Sequence, residues 1–292
     1  TAASGQNTQK TIVSDNLWLL ISYTKKDHFM QFATLNNITL HYQQISGPED
    51  APTVVFINSL ATDFRIWRDV IIQLAGTYPM LSYDKRGHGL SDIGTAPYQL
   101  DDHVNDLAAL MDKLAISDAV ICGLSVGGLI AMRLYKLRPD LVSSLVLCDT
   151  APKIGNAEMW EERMEVVRQQ GMAGLVKANM ERWFTQNFHT HHSAELDGYS
   201  NMFLRLPVEG YLGTAAAIRD ADYREDAKEI DVPVICVVGE EDGSTPPELV
   251  LDMANTIPGA DFKLIKGAGH IPCVEQPHIL ADTLSGFIAG QR

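Results

Sequence analysis

Long apolar runs are missing from this chain of 292 residues. The one apolar stretch near the amino end, Leu17 to Tyr23, has seven residues, against the ~20 that a helix needs to span a bilayer. It also lacks the basic region before it and the small-residue cleavage site after it that mark a secretory signal. Cysteine is scarce. The four, Cys122, Cys148, Cys236 and Cys273, lack metal-ligand spacing, and three sit in apolar strand-like runs. Buried free thiols, a reducing compartment and a cytoplasmic location are therefore expected. Positive charge is in deficit: 23 Lys and Arg against 37 Asp and Glu leave a net charge of −14. Such a balance excludes nucleic acid and an anionic membrane surface as partners. It also means that an anionic ligand needs a cationic pocket of its own. There is no internal repeat and no low-complexity tract.

What is present is ordinary globular material, 46% apolar and 21% charged, enough for a large core. Residues 1–29 are polar and irregular and read as an accessory or expression-derived extension, with Met30 opening the first strand-like pattern. Gln31 to Thr34 and Ile38 to Gln44 alternate as an antiparallel pair around Asn36-Asn37. From Thr53 the pattern becomes strand, helix, strand, helix, strand, helix, strand, ending at Cys148. That alternation predicts a parallel sheet covered by helices on both faces. Between 151 and 224 the strand signal disappears and helices are predicted over Met159 to Gln170, Leu175 to Phe184, His192 to Leu206 and Gly210 to Arg219. Strands at Val232 to Val238 and Phe262 to Ile265 then resume the sheet, with helices at Pro247 to Asn255 and Pro277 to Ala289. The domain reading is a core of residues 30–150 and 225–292 with a helical cap, 151–224, inserted after the strand ending near Cys148.

The chemistry is centred on Gly123-Leu124-Ser125-Val126-Gly127, a G-x-S-x-G set between a predicted strand and a predicted helix. Glycines on either side permit a tight turn that lifts the Ser125 hydroxyl clear of the strand end. The following helix aims its amino-terminal amides at the place where negative charge would develop. A serine nucleophile needs a base and an orienting acid. Gly267-Ala268-Gly269-His270 follows the last strand, and Gly239-Glu240-Glu241-Asp242-Gly243 follows the strand before it. Both loops leave the carboxyl ends of parallel strands, where open α/β sheets place their sites. The order Ser125, Asp242, His270 suits this architecture. Glu240, Glu241 and Asp149 are competing positions for the acid. The backbone amides of Val126 and Leu60 are the expected oxyanion donors. His88 and Ser91 read as parts of a tight structural loop. His189, His191 and His192 read as an exposed run, so no metal site is expected.

With these residues in place, the chain resembles the α/β-hydrolase superfamily over about residues 31–290. Asn58-Ser59-Leu60 stands where many members carry His-Gly. This segment, Tyr83-Asp84-Lys85-Arg86-Gly87-His88-Gly89, Gly123-Leu124-Ser125-Val126-Gly127-Gly128, Glu181-Arg182-Trp183-Phe184 and Ala217-Ile218-Arg219-Asp220-Ala221-Asp222 together resemble the 3-oxoadipate enol-lactonase family. The departures are the amino-terminal extension and Ala61, where family members often have Gly. The resemblance implies the α/β-hydrolase fold and cofactor-free opening of an enol-lactone in bacterial aromatic catabolism. The partner is then a small lactone or ester, and a homo-oligomer is compatible with it. Because that lactone carries a carboxylate, Trp160 and Arg163, three apart on one helix face, are expected in the pocket, with Arg133 and Arg182 in reserve. The same triad would serve a carboxylesterase or a carbon–carbon bond hydrolase, and a ligand receptor could retain it without turnover. Haloalkane dehalogenase chemistry is disfavoured because position 125 is Ser and not Asp.

Overall fold

The computed structural model describes residues 30–291; the expected extension over 1–29 lies outside the described residues. Strands β1 (Gln31–Leu35) and β2 (Ile38–Ile45) pair antiparallel through Asn36 and Asn37, whose φ angles are 49° and 62°. Two consecutive left-handed residues match the twist of a two-residue hairpin, and Asn tolerates that region. Six more strands follow: β3 (Val54–Ile57), β4 (Met80–Tyr83), β5 (Ala119–Leu124), β6 (Val142–Cys148), β7 (Val234–Gly239) and β8 (Asp261–Ile265). They complete an eight-stranded sheet in the order β1-β2-β4-β3-β5-β6-β7-β8, parallel from β4 to β8.

Every residue of β3, β4, β5 and β7 is buried. These strands read as unbroken apolar runs because helices cover both faces of the sheet. The edge strand β8 is different: Asp261, Phe262 and Lys263 are exposed, and charge on an edge discourages pairing with another chain. Helices α1 (Arg68–Leu74), α2 (Leu100–Lys113) and α3 (Val126–Leu137) connect the first parallel strands. In α2 the spacing of Val104, Leu107, Leu110 and Met111 puts one apolar stripe into the core, and Gln99 and Asp102 form a capping box at its start.

Five helices lie between β6 and β7: α4 (Ala157–Gln170), α5 (Val176–Trp183), α6 (Gln186–His191), α7 (Ser193–Leu204) and α8 (Val208–Asp220). Helix α6 is an addition to the expected set; Thr185 caps it by accepting from the Phe188 amide. Helices α9 (Pro247–Thr256), α10 (Pro272–Glu275) and α11 (Pro277–Ala289) complete the core. All four cysteines are buried free thiols. No helix among the described residues is long and apolar enough to cross a membrane.

The strand order fixes where a site can form. From β3 the chain moves outward to β4, then returns to β5 on the other side of β3. Such a reversal opens a crevice beyond the carboxyl ends of the two strands. Ile57 ends β3 and Leu124 ends β5, so the loop from Asn58 and the turn at Ser125 flank that crevice.

Candidate active site

Ser125 sits between β5 and α3 with φ 58° and ψ −117°. A non-glycine residue in this region stores about 1–3 kcal/mol of strain and persists only where its surroundings hold it. Here the Ser125 amide donates to the Cys148 carbonyl at 2.9 Å, and the Thr150 hydroxyl donates to the Ser125 carbonyl at 2.7 Å. Glycine is required on both sides. A Cβ on Gly123 would strike the Gly127 backbone, and one on Gly127 would strike the Ile57 carbonyl at the end of β3.

The loop after β7 carries Asp242, and the loop after β8 carries His270. His270 Nδ1 lies 2.9 Å from each Asp242 carboxylate oxygen. Asp242 also accepts from the Ser244 and Thr245 amides, at 2.7 and 3.1 Å, and from the Thr245 hydroxyl at 2.7 Å. Burial by itself would raise the Asp242 carboxyl. The His270 charge interaction and the hydrogen bonds from His270, Thr245 and Ser244 outweigh it and hold the group below its ordinary value. Glu240 and Glu241 are both exposed and take no part.

The histidine loop is held from outside the sheet. The His270 amide donates to the Trp183 carbonyl at 2.8 Å. Glu275 accepts from the Gly269 amide at 2.7 Å and from the amide and hydroxyl of Thr185 at 3.1 and 2.7 Å. Trp183 at the end of α5 and Glu275 at the end of α10 thus fix the loop. Glu275 was not singled out by sequence reasoning, and its only signal is its place five residues beyond His270.

The loop after β3 is fixed from below. Lys85, fully buried, donates from Nζ to the Ser59 carbonyl at 2.6 Å, and burial pulls its pKa down to about 7. His88 is also fully buried, and burial pushes it well below its ordinary value, with Lys85 adding to the effect. Its Nδ1–H donates to the Arg86 carbonyl at 3.0 Å, which leaves Nε2 to accept from the Ala61 amide at 3.1 Å. The Asn58 side-chain amide donates to the Thr62 carbonyl. Ala61 has φ 61°, the left-handed geometry that favours glycine. Leu60 is therefore bracketed by two anchored neighbours. Neither its amide nor that of Val126 donates to another backbone group among the described residues. Replacing His88 with Leu is expected to lower kcat roughly ten-fold with KM unchanged, a fraction of the 10²–10³ lost when an oxyanion donor is removed outright. The Gln variant, which keeps an acceptor, should retain most of the rate; wild-type kcat in the Leu variant would show that the anchor is dispensable.

Ser125, His270, Leu60 and Ala61 line one cavity of ≈ 130 Å³ with Trp160, Arg163, Asn179 and Arg182. The volume is close to the ~150 Å³ that holds a single benzene-sized ring. Trp160 is buried and donates from Nε1 to the Ile154 carbonyl at 2.7 Å. The Arg163 guanidinium lies 5.0 Å from the Trp160 ring centre. Arg163 and Arg182 both donate to the Asn179 side-chain carbonyl, at 2.7 and 3.1 Å, and the Nε of each is buried without a partner among the described residues. Burial, then the adjacent Arg163 charge, lowers Arg182 from its ordinary value. Arg65, Arg86, Arg138, Arg168 and Arg219 each meet Asp or Glu; the two cavity arginines meet a neutral amide instead. Arg133 pairs with Asp101 away from the cavity lining.

Asp149, Asp242 and His270 bring three potential metal-ligand atoms within 4.8 Å of one another. His270 Nδ1 is already committed to Asp242, and Asp242 to three further contacts, so the cluster is a hydrogen-bonded unit. The three histidines of α6 and its end do not converge: His189 Nε2 meets the Met180 carbonyl at 3.1 Å, His191 Nδ1 the Asn187 carbonyl at 3.1 Å, and His192 stacks on Phe188.

Fold and geometry agree with the comparisons. The family model of the α/β hydrolase fold matches residues 52–277, and the chain belongs to that family as a hydrolase. Within it the chain is similar to 3-oxoadipate enol-lactonase 2 of Acinetobacter baylyi, 32% identical over 250 residues, covering 86% of this chain and 93% of the relative. It is 33% identical to 3-oxoadipate enol-lactonase 1 of the same organism, covering 84% and 91%. The crystal structure of the enol-lactonase from Burkholderia xenovorans superposes with a TM-score of 0.85 at 33% identity, covering 89% of this chain and 100% of that one.

Proposed function

We propose that the protein is a cofactor-independent serine hydrolase that opens 3-oxoadipate enol-lactone to 3-oxoadipate in aromatic-compound catabolism. His270 takes the proton of Ser125 as its hydroxyl attacks the lactone carbonyl, and Asp242 orients the imidazole and stabilises its cation. The oxyanion is held by the amides of Leu60 and Val126. The ring C–O bond breaks, the enolate leaves, and the proton held by His270 is delivered to it, giving the ketone. Water, deprotonated by the same histidine, then cleaves the acyl-enzyme and restores Ser125.

The observation that carries this reading is the pair Arg163 and Arg182, gathered on Asn179 in the same cavity as Ser125 with no acidic partner among the described residues. In a protein of net charge −14, two unneutralised guanidiniums beside a nucleophile suit a small substrate bearing a carboxylate. The test is ultraviolet-monitored hydrolysis of 3-oxoadipate enol-lactone beside a short-chain p-nitrophenyl ester. The lactone is expected to have kcat/KM about 100-fold or more above the uncharged ester, the ratio that one or two charge-assisted contacts supply. Rapid ester hydrolysis without lactone turnover would move the function to a general carboxylesterase.

A further inference from the structure

Asp149 is a carboxyl group the mechanism above does not use. It follows β6 directly, is fully buried, and holds a left-handed backbone with φ 46°. One oxygen, Oδ1, accepts from the Gly239 amide at 2.9 Å. The other, Oδ2, is buried and receives no donor among the described residues. A carboxylate oxygen in that position would be costly to leave bare. The neighbouring carboxylate is Asp242: an oxygen of each of the two side chains and a His270 ring nitrogen lie within 4.8 Å of one another. The other ionisable groups that face it are the Cys148 and Cys273 thiols, Cys148 pushed up by its contact with Cys122 and then by burial, Cys273 by burial first. No ion pair to Asp149 exists among the described residues that would favour its anion.

Two adjacent carboxylates out of water cannot both be ionised cheaply. Asp242 has three donors from its own loop and a fourth in His270. Asp149 has one. The proton therefore belongs on Asp149. We propose that Asp149 is a positioning residue whose carboxyl O–H donates to the Asp242 carboxylate, so that the acid behind His270 is a two-carboxyl unit. Burial first, then the Asp242 charge, pushes the Asp149 carboxyl well above its ordinary value, in agreement with that geometry. The gain is a fixed orientation for Asp242: β6 and β7 are adjacent strands, and the contact ties the end of one to the catalytic loop of the other. It also accounts for an aspartate at a strained position that touches no substrate.

This inference rests on the serine-hydrolase reading for its effect on rate but not for its structural core, and the experiment keeps the two apart. The difference infrared spectrum between wild type and Asp149→Asn at neutral pH reads the proton directly. A protonated carboxyl C=O band present in wild type and lost in the variant is expected; its absence from wild type would overturn the proposal. Asn keeps both contacts, since its carbonyl accepts from Gly239 and its amide donates to Asp242. Asp149→Asn should therefore hold kcat within a few-fold of wild type, whereas Asp149→Ala should lose roughly ten-fold with KM unchanged, the scale of one hydrogen bond to a charged group. Equal activities of the Ala variant and wild type, or equal losses in both variants, would overturn it. If the Ala variant does not fold, the infrared band and the Asn rate decide between them. Absence of any turnover by wild type would count against the hydrolase reading alone, because the infrared result stands without a substrate.

Discussion

Changing Ser125 to Ala is expected to lower lactone kcat by about 10⁶, the scale on which loss of a nucleophile acts in enzymes whose triad works as a unit. Binding should survive. The cavity arginines and the Leu60 and Val126 amides are untouched by the change, so KM for residual turnover should stay within a few-fold. What remains above the uncatalysed rate, about 10³–10⁴, would be the contribution of the oxyanion donors and of substrate binding. The fold should also survive. The turn at 125 is held through the backbone, by the Cys148 carbonyl and the Thr150 hydroxyl, and Ala keeps both contacts. Thermal unfolding followed by circular dichroism should place the variant within a few degrees of wild type. A variant that unfolds normally and still turns over at more than about a hundredth of the wild-type rate would show that Ser125 is not the nucleophile.

The core was largely legible because its signals are local. β6 over Val142–Cys148 and α11 over Pro277–Ala289 fall where the apolar pattern and the prolines place them. The turn at Ser125 announces itself through two glycines whose absence of side chain is a steric necessity. The two loops carrying Asp242 and His270 follow strands, and a parallel sheet brings the carboxyl ends of its strands to one edge. Helix α6 was harder: Gln186–His191 has six residues and only Phe188 buried, too short to show a period. The anchoring of the loop after β3 was not legible at all. His88 reads correctly as part of a tight loop, but its contact with Ala61 spans 27 positions in sequence, and Lys85 looks like any charged residue at a strand end until the fold buries it. Asn179 carries no sequence signal because its role, holding two arginines from neighbouring helices, exists only once α4 and α5 pack. Asp149 could be weighed only as a rival to Asp242, since nothing in the order of residues says that the two meet.

Removing both cavity cations should produce a selective defect. The double variant Arg163→Met, Arg182→Met is expected to lower kcat/KM for the lactone by about 10³, taking ten- to hundred-fold for each charge-assisted contact, while hydrolysis of an uncharged p-nitrophenyl ester changes by less than about three-fold. Methionine preserves much of the aliphatic stem, so the packing against Trp160 and the cavity volume are kept. The two single variants should not be equivalent. Arg163 stacks on Trp160 and makes the shorter bond to Asn179, 2.7 against 3.1 Å, so it is the more rigidly placed donor and should carry the larger share. Each arginine also raises the electrostatic cost of the other, which is why burial and Arg163 together lower Arg182. That repulsion is relieved when an anion enters between them, and its relief contributes to affinity. The two losses should therefore be less than additive: once one arginine is gone, the other has no like charge to be screened. The measurement is steady-state kinetics of the four proteins with both substrates. A KM for the lactone unchanged in Arg163→Met and in the double variant would remove the carboxylate from this pocket, and with it the reason to prefer the lactone over a neutral ester.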